Sequence, residues 1–366
     1  MKKIQYCLED ENTFFTDEDS VSNSKIEKIN PFAKIQKYNN EEPLCINREP
    51  EKLANFLKYL SLTHSWYHHY TTLESLEKIL NSHTFKMTRG ASRKLNDLHE
   101  IDEKGEKDTW KRTYISCFNY SGEEVINYRS EIKNTIMREE NMAMWGLYGK
   151  PKSDAIRISF PRETFFKLLN KASVKVKTDD KNNVNEDIID EIYPTDVFYA
   201  KGSDKDSALE FQTHIDKRIN FGFVPLNNDK EDNWLFEFLK NNPLTGCVKN
   251  YSWHYEDEVR IIARIKKVDK NDYYNEKKEV NKEVKKVLKE DSIFLNIPHD
   301  LLKSFIITTG PSFIRDKELN ELLRKHKISP SLPSVLCGKV NYNDFYSDIG
   351  EAIVDVSEKI AKAIKI

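Results

Sequence analysis

Two short stretches hold the residue types that bond-breaking chemistry uses, and they lie far apart in the chain. The first is Tyr67-His68-His69-Tyr70-Thr71. It is aromatic and β-prone, and on a strand His69 and Thr71 share one face while His68 and Tyr70 share the other. A histidine at a strand end can present its ring to a ligand; the plainer account is a hydrogen-bonded core or surface residue. The second stretch is Trp253-His254-Tyr255-Glu256-Asp257-Glu258-Val259-Arg260-Ile261-Ile262. Read as one strand, it puts His254, Glu256, Glu258 and Arg260 on one face, with the carboxylates about 7 Å apart. Anions that close require positive charge beside them. Arg260 can supply it, and so can a cation that develops during a reaction. An exposed edge strand with a Glu258–Arg260 ion pair is the plainer account here.

Smaller features carry nothing singly. Asn96-Asp97 with Glu100 is an ordinary turn signal, and Trp145 and Tyr148 in Met144–Gly149 are spaced as a buried helical pair. Ser116-Cys117-Phe118 sits in the β-prone run Thr113–Asn119.

The elements that must position these residues follow from periodicity. A helix is expected from about Glu49 to Ser61, with Leu53, Phe56, Leu57 and Leu60 on one side. Thr71-Thr72-Leu73-Glu74 reads as a capping box with Thr71 as cap, opening a helix whose apolar face is Leu73, Leu76, Ile79 and Leu80. Strands are expected at 84–88, 113–119, 155–160, 197–200, 252–265 and 305–309. Met142–Gly149 reads as the end of a polar helix, and residues 174–196 as an insertion or hairpin. Further helices are expected at 162–170, around 234–239, within the charged run 266–290, at 319–326 and over Tyr342–Ile366. Short strands broken by helices, without regular βαβ alternation, give an α+β class with a central mixed or antiparallel sheet. Residues 1–62 read as an N-terminal extension, 63–315 as the α+β domain and 316–366 as a helical extension packed on it.

Composition removes several function classes. The chain has 366 residues and a net charge of −2, so no global positive field advertises nucleic acid. With 11% aromatic residues it can build a core despite 32% charged residues. Its apolar runs fall far short of the ~20 residues that span a bilayer. The opening turns acidic before any signal-peptide apolar region forms. Cys7, Cys45, Cys117, Cys247 and Cys337 are odd in number and never in a C-x-x-C pair, which suits reduced thiols in a cytoplasm. No spacing suggests a metal cluster, and no glycine-rich phosphate loop is present.

Their order adds information. His69-Tyr70-Thr71, a leucine-rich helix ending in Ile79-Leu80, Asn96-Asp97 with Glu100, Ser116-Cys117-Phe118, Met144–Gly149, Ala155–Phe160 and Trp253–Arg260 follow one another. This series resembles a widespread bacterial family labelled a domain of unknown function, over roughly residues 66–310. The chain departs from it at Leu98, where the family carries Pro, and at Lys150–Asp154, where it carries Gly. More distantly, the first motif is similar to that of the His-type ADP-ribosyltransferases, which include DNA-modifying toxins and poly-ADP-ribose polymerases. That resemblance implies a split sheet and an enzyme that cleaves the nicotinamide–ribose bond of NAD, the substrate. The ADP-ribose would pass to a macromolecule, protein or nucleic acid, or to water, in a toxin or anti-phage setting. It implies that His69 holds a ribose, Glu258 completes the site and Glu256 is the outer carboxylate. Tyr148, or else Phe118, would stack on nicotinamide; Tyr70, Thr71, Trp145, Asn96 and Arg260 are the further candidate NAD contacts.

The chemistry suits those groups. Departure of nicotinamide leaves an oxocarbenium-like ribose that a fixed carboxylate stabilises, and no metal is needed. Two other readings stand beside it: a non-catalytic binding or sensor module, and a metal-dependent nuclease using Asp97, Glu100, Glu256 and Glu258.

Overall fold

Runs of alternating and apolar residues become strands of one large sheet in the computed structural model. It describes residues 3–7, 26–40, 44–45, 50–90, 107–121, 140–178, 183–200, 221–222, 246–268 and 275–334. The chain begins with β1 (Lys3–Tyr6), β2 (Ile26–Ile29), α1 (Pro31–Asn40), β3 (Leu44–Cys45) and α2 (Pro50–Leu60). The next group is β4 (Trp66–Thr72), α3 (Leu73–Ser82), β5 (Thr84–Arg89), α4 (Lys107–Arg112) and β6 (Thr113–Ser121). There follow α5 (Met142–Tyr148), β7 (Ala155–Pro161), α6 (Arg162–Asn170), β8 (Val174–Lys175), β9 (Ile189–Asp196) and β10 (Phe198–Ala200). The last part holds β11 (Phe221–Gly222), β12 (Val248–Asn250), β13 (Glu258–Ile265), α7 (Asn275–Val287), β14 (Ser292–Asn296), β15 (Ile306–Thr309), α8 (Asp316–Lys325) and β16 (Leu332–Pro333).

Ten strands form the main sheet in the order β16-β15-β7-β4-β6-β5-β14-β8, with β13 against β6 and β9 against β13. Its pairs are antiparallel except β15 with β16, so the class is α+β with a mixed sheet. Three parallel two-stranded pairs lie outside it.

One face of the sheet is the apolar core. Tyr67, Phe85, Phe118, Phe160, Val259, Ile261, Ile293 and Leu295 point there and pack with Leu76, Ile79 and Leu80 of α3 and Phe165 and Leu168 of α6. Each such side chain, fully buried, contributes about 1.5–3 kcal/mol. The N-terminal Tyr6 and Ile29 and the C-terminal Leu319, Leu323 and Ile328 enter the same core. The opposite face is buried but polar, carrying His68, Arg157, Ser159, Asn119, Glu258, Arg260 and Thr308.

Four expectations are corrected. The expected strand 252–265 starts only at Glu258: Tyr251–Glu256 is a 3₁₀ turn, and Asp257 takes a left-handed φ of 41° that no strand accommodates. The cap of α3 is Thr72, which accepts a bond from the Ser75 amide, while Glu74 reaches forward to Lys78 instead of back. Met142–Tyr148 starts a helix, since Asn141 caps it by accepting from the Ala143 and Met144 amides. The charged run 174–196 supplies β8 and β9 of the main sheet: Asp190 is exposed and Glu191 half-buried, while Asp196 is buried against His64. Expected helices at 234–239 and 342–366 lie outside the described residues.

Candidate active site

The sheet forks at β6. One edge of β6 is paired with β13 from Thr113 to Asn119. On the other edge, β4 pairs with its C-terminal end (His68 with Asn119) and β5 with its N-terminal end (Thr88 with Ile115). Among the described residues no ladder strand pairs with Ser116, Cys117 or Phe118 on that edge. His69 lies at the gap: its Nδ1 is 3.1 Å from the Cys117 carbonyl oxygen, a side chain standing where a backbone rung would be. Burial lowers the pKa of His69, with the Cys117 carbonyl partly opposing it. The ring is therefore neutral at pH 7; Nδ1 carries the proton facing that carbonyl, and Nε2 is left as an acceptor.

The two glutamates flank the left-handed turn at Asp257. Glu258 begins β13 with both oxygens in use. Its Oε1 is 2.9 Å from Arg260 Nε, and its Oε2 is 3.2 Å from both Arg260 Nη2 and Lys249 Nζ. Glu256 Oε2 accepts from the same Lys249 ammonium at 2.5 Å, and its Oε1 from the Tyr148 hydroxyl at 2.6 Å. All four charged side chains are at most 5% exposed. Burial alone would raise the Glu258 carboxyl, but Arg260 and Lys249 outweigh it and hold it well below its ordinary range. Burial, and then the charge of Glu258, push Glu256 up, with Lys249 and Tyr148 opposing. Environment thus separates two carboxylates that sequence makes near neighbours, one a permanent anion and one a group able to take up a proton.

Lys249 is a residue that the sequence reading missed. It lies on β12, directly opposite Tyr199 of β10, and its ammonium rests 4.8 Å from the centre of the Trp253 ring. Tyr199 in turn accepts a bond from the Glu258 amide at 3.0 Å. The signal was a charge count: two buried carboxylates on E-x-E spacing need two cations, and Arg260 is only one.

Tyr148 is placed by α5. Asn141 caps that helix, donates its side-chain amide to the Tyr255 carbonyl at 2.5 Å, and donates its backbone N–H to the Tyr70 hydroxyl oxygen at 3.2 Å. At the other end, a Cβ on Gly149 would meet Ala155 Cβ at 2.5 Å, so only glycine lets the helix close onto β7.

A cleft of about 870 Å³ opens over the fork, lined by His69, Tyr70, Thr71, Cys117, Tyr148, Glu256 and Glu258 among others. Cys117 links its two halves, its carbonyl holding His69 and its thiol bonding Glu258. Burial pushes that thiol well up, which favours the protonated, weakly nucleophilic form of Cys117.

The remaining expected contacts divide. Phe118 borders the cleft, but its ring faces the core, 5.2 Å from Phe85 and 5.7 Å from Phe160, so it offers no face for stacking. Trp145 packs edge-on against Tyr70 at 4.9 Å, away from the cleft, and donates its indole N–H to Glu140. Arg260 stands behind Glu258 and acts on the cleft through it. Asn96, Asp97 and Glu100 lie outside the described residues. Among the described residues no group of three His, Cys, Asp or Glu side chains could hold a metal ion, and no helix is long and apolar enough to cross a membrane.

The segment carrying Tyr148, Lys249, Glu256, Glu258 and Arg260 also matches a known family model. Residues 144–261 match the family described as protein of unknown function (DUF2971). A family of unknown function was expected from the motifs, and the matched segment runs from α5 into β13, leaving His69 before it. No curated protein and no solved structure matches the chain.

Proposed function

We propose that this cleft binds NAD and that the chain cleaves its nicotinamide–ribose bond, passing ADP-ribose to water or to a macromolecule. The reading rests on one observation: His69 and the Glu256–Glu258 pair, remote in sequence, line the same cleft. Neutral His69 accepts a ribose hydroxyl, the face of Tyr148 lies against nicotinamide, and ionised Glu258 stabilises positive charge growing on the ribose carbon as nicotinamide leaves. Glu256, with its raised pKa, takes the proton of the incoming hydroxyl. The forked sheet agrees with the distant resemblance to the ADP-ribosyltransferases.

The test is nicotinamide release from NAD by the full chain, with labelled NAD to trace the acceptor. Glu258→Gln keeps the side chain's size, and its nicotinamide release is expected to fall about a hundredfold. A wild-type protein that releases none overturns the reading. Undiminished release by a folded Glu258→Gln variant removes Glu258 from the chemistry.

One observation favours a second reading, a module that holds NAD intact. Lys249 and Arg260 balance the two carboxylates, leaving less net negative charge for a cationic transition state. Tight NAD binding without turnover is its signature.

A further inference from the structure

The cleft is chemically lopsided. Its carboxylates cluster at one end; at the other it is lined by Lys86 and Phe294, with Thr84 and Thr88 beside them on β5. Register puts these on the glutamate face of the sheet. Glu258 lies opposite Asn119 and Arg260 opposite Cys117, Ile115 lies opposite Thr88, and Phe294 lies opposite both Lys86 and Lys175. Residues directly opposite, and residues two apart on a strand, share a face.

Phe294 is out of place for an ordinary strand. Along Ser292–Asn296 its neighbours Ile293 and Leu295 are in the core, so Phe294 points to the outer face, where a polar side chain is the rule. It sits there half-buried between two lysines. Lys86 is exposed and, among the described residues, has no hydrogen-bond or ion-pair partner. An aromatic face beside an uncommitted ammonium and the Thr88 hydroxyl is chemistry that suits a base next to a phosphate.

We propose that Phe294 and Lys86 form the subsite for a nucleoside diphosphate, the base stacking on Phe294 and the diphosphate pairing with Lys86. This rests on the NAD reading for the identity of the whole ligand and assigns its ADP half to the β5–β14 end of the cleft. From β13 through β6 and β5 to β14 is three strand spacings, about 14 Å, more where the fork widens. That span lets an extended ribose–diphosphate–ribose chain connect a sugar at Glu258 with a base at Phe294. The substrate's polarity matches as well, its cationic ring toward the glutamates and its anionic diphosphate toward Lys86.

ADP itself is the probe. It is titrated by calorimetry into the full chain and into Lys86→Ala, Phe294→Ala and Phe294→Tyr, with thermal unfolding confirming that each is folded. Wild type is expected to bind ADP, the two alanine variants to lose about tenfold or more in affinity, and the tyrosine variant to keep it. In nicotinamide release the alanine variants raise KM more than they lower kcat. Absence of ADP binding, or equal binding by all four proteins, overturns the subsite. Failure of the two ideas is separable. ADP binding that depends on Lys86 and Phe294, without nicotinamide release, sinks the cleavage reading and leaves the subsite standing. Nicotinamide release with unchanged KM in the alanine variants does the reverse. Binding of single-stranded oligothymidylate through Phe294 in place of ADP also overturns the proposal.

Discussion

Replacing Lys249 by Met removes a cation that both glutamates share and keeps the length and packing of the side chain. Its Nζ lies 2.5 Å from Glu256 and 3.2 Å from Glu258, and both carboxylates are almost fully buried. Removing one partner from such a pair costs about 3–5 kcal/mol, because a buried charge is left uncompensated. Arg260 still holds Glu258, so the orphaned charge is that of Glu256. The cost then depends on pH. Burial and Glu258 already raise the Glu256 pKa, and losing Lys249 raises it further. The folded variant therefore binds a proton more readily than the unfolded chain. A group raised on folding destabilises least at low pH, so the variant's deficit is largest above its folded pKa and shrinks as pH falls through it. The assay is urea unfolding of wild type and variant at several pH values between 5 and 8. A stability loss below about 1 kcal/mol, or one that is the same at every pH, refutes the shared-cation account.

Two further outcomes are expected. Tyr148→Phe takes a donor from Glu256, so its pKa rises and the ascending limb of the nicotinamide-release pH profile moves to higher pH, whereas a merely structural role for Tyr148 leaves that limb in place. Gly149→Ala forces a Cβ against Ala155 and the Trp145 carbonyl; a loss of about 1–3 kcal/mol is expected in thermal or urea unfolding, with Tyr148 displaced and turnover reduced.

Much of the fold was legible where a single period governs the residues. Leu73, Leu76, Ile79 and Leu80 mark α3, and the β-prone runs around Tyr67, Ser116 and Ile158 mark β4, β6 and β7 because each has one apolar face to bury. The site was half legible. His69 and Glu258 were chosen for their chemistry, and they line one cleft. What failed was local. Trp253–Glu256 alternates like a strand, yet Asp257 adopts a left-handed conformation that aspartate tolerates and a pattern of hydropathy does not register. Lys249 escaped because its role is set by residues that only the tertiary fold brings near. Phe294 sits in a five-residue run whose outward aromatic looks, in one dimension, like more core.

Where most sheets are zipped from edge to edge, this one is held at β6 by a histidine side chain, with β4 and β5 departing on either side of it. A molecule entering such a junction meets, among the described residues, no ladder bond on that edge of Ser116–Phe118. Recognition and local architecture then share a single imidazole: whatever pulls His69 toward a ligand also releases the Cys117 carbonyl, on a strand whose thiol touches Glu258 and whose other edge β13 still holds.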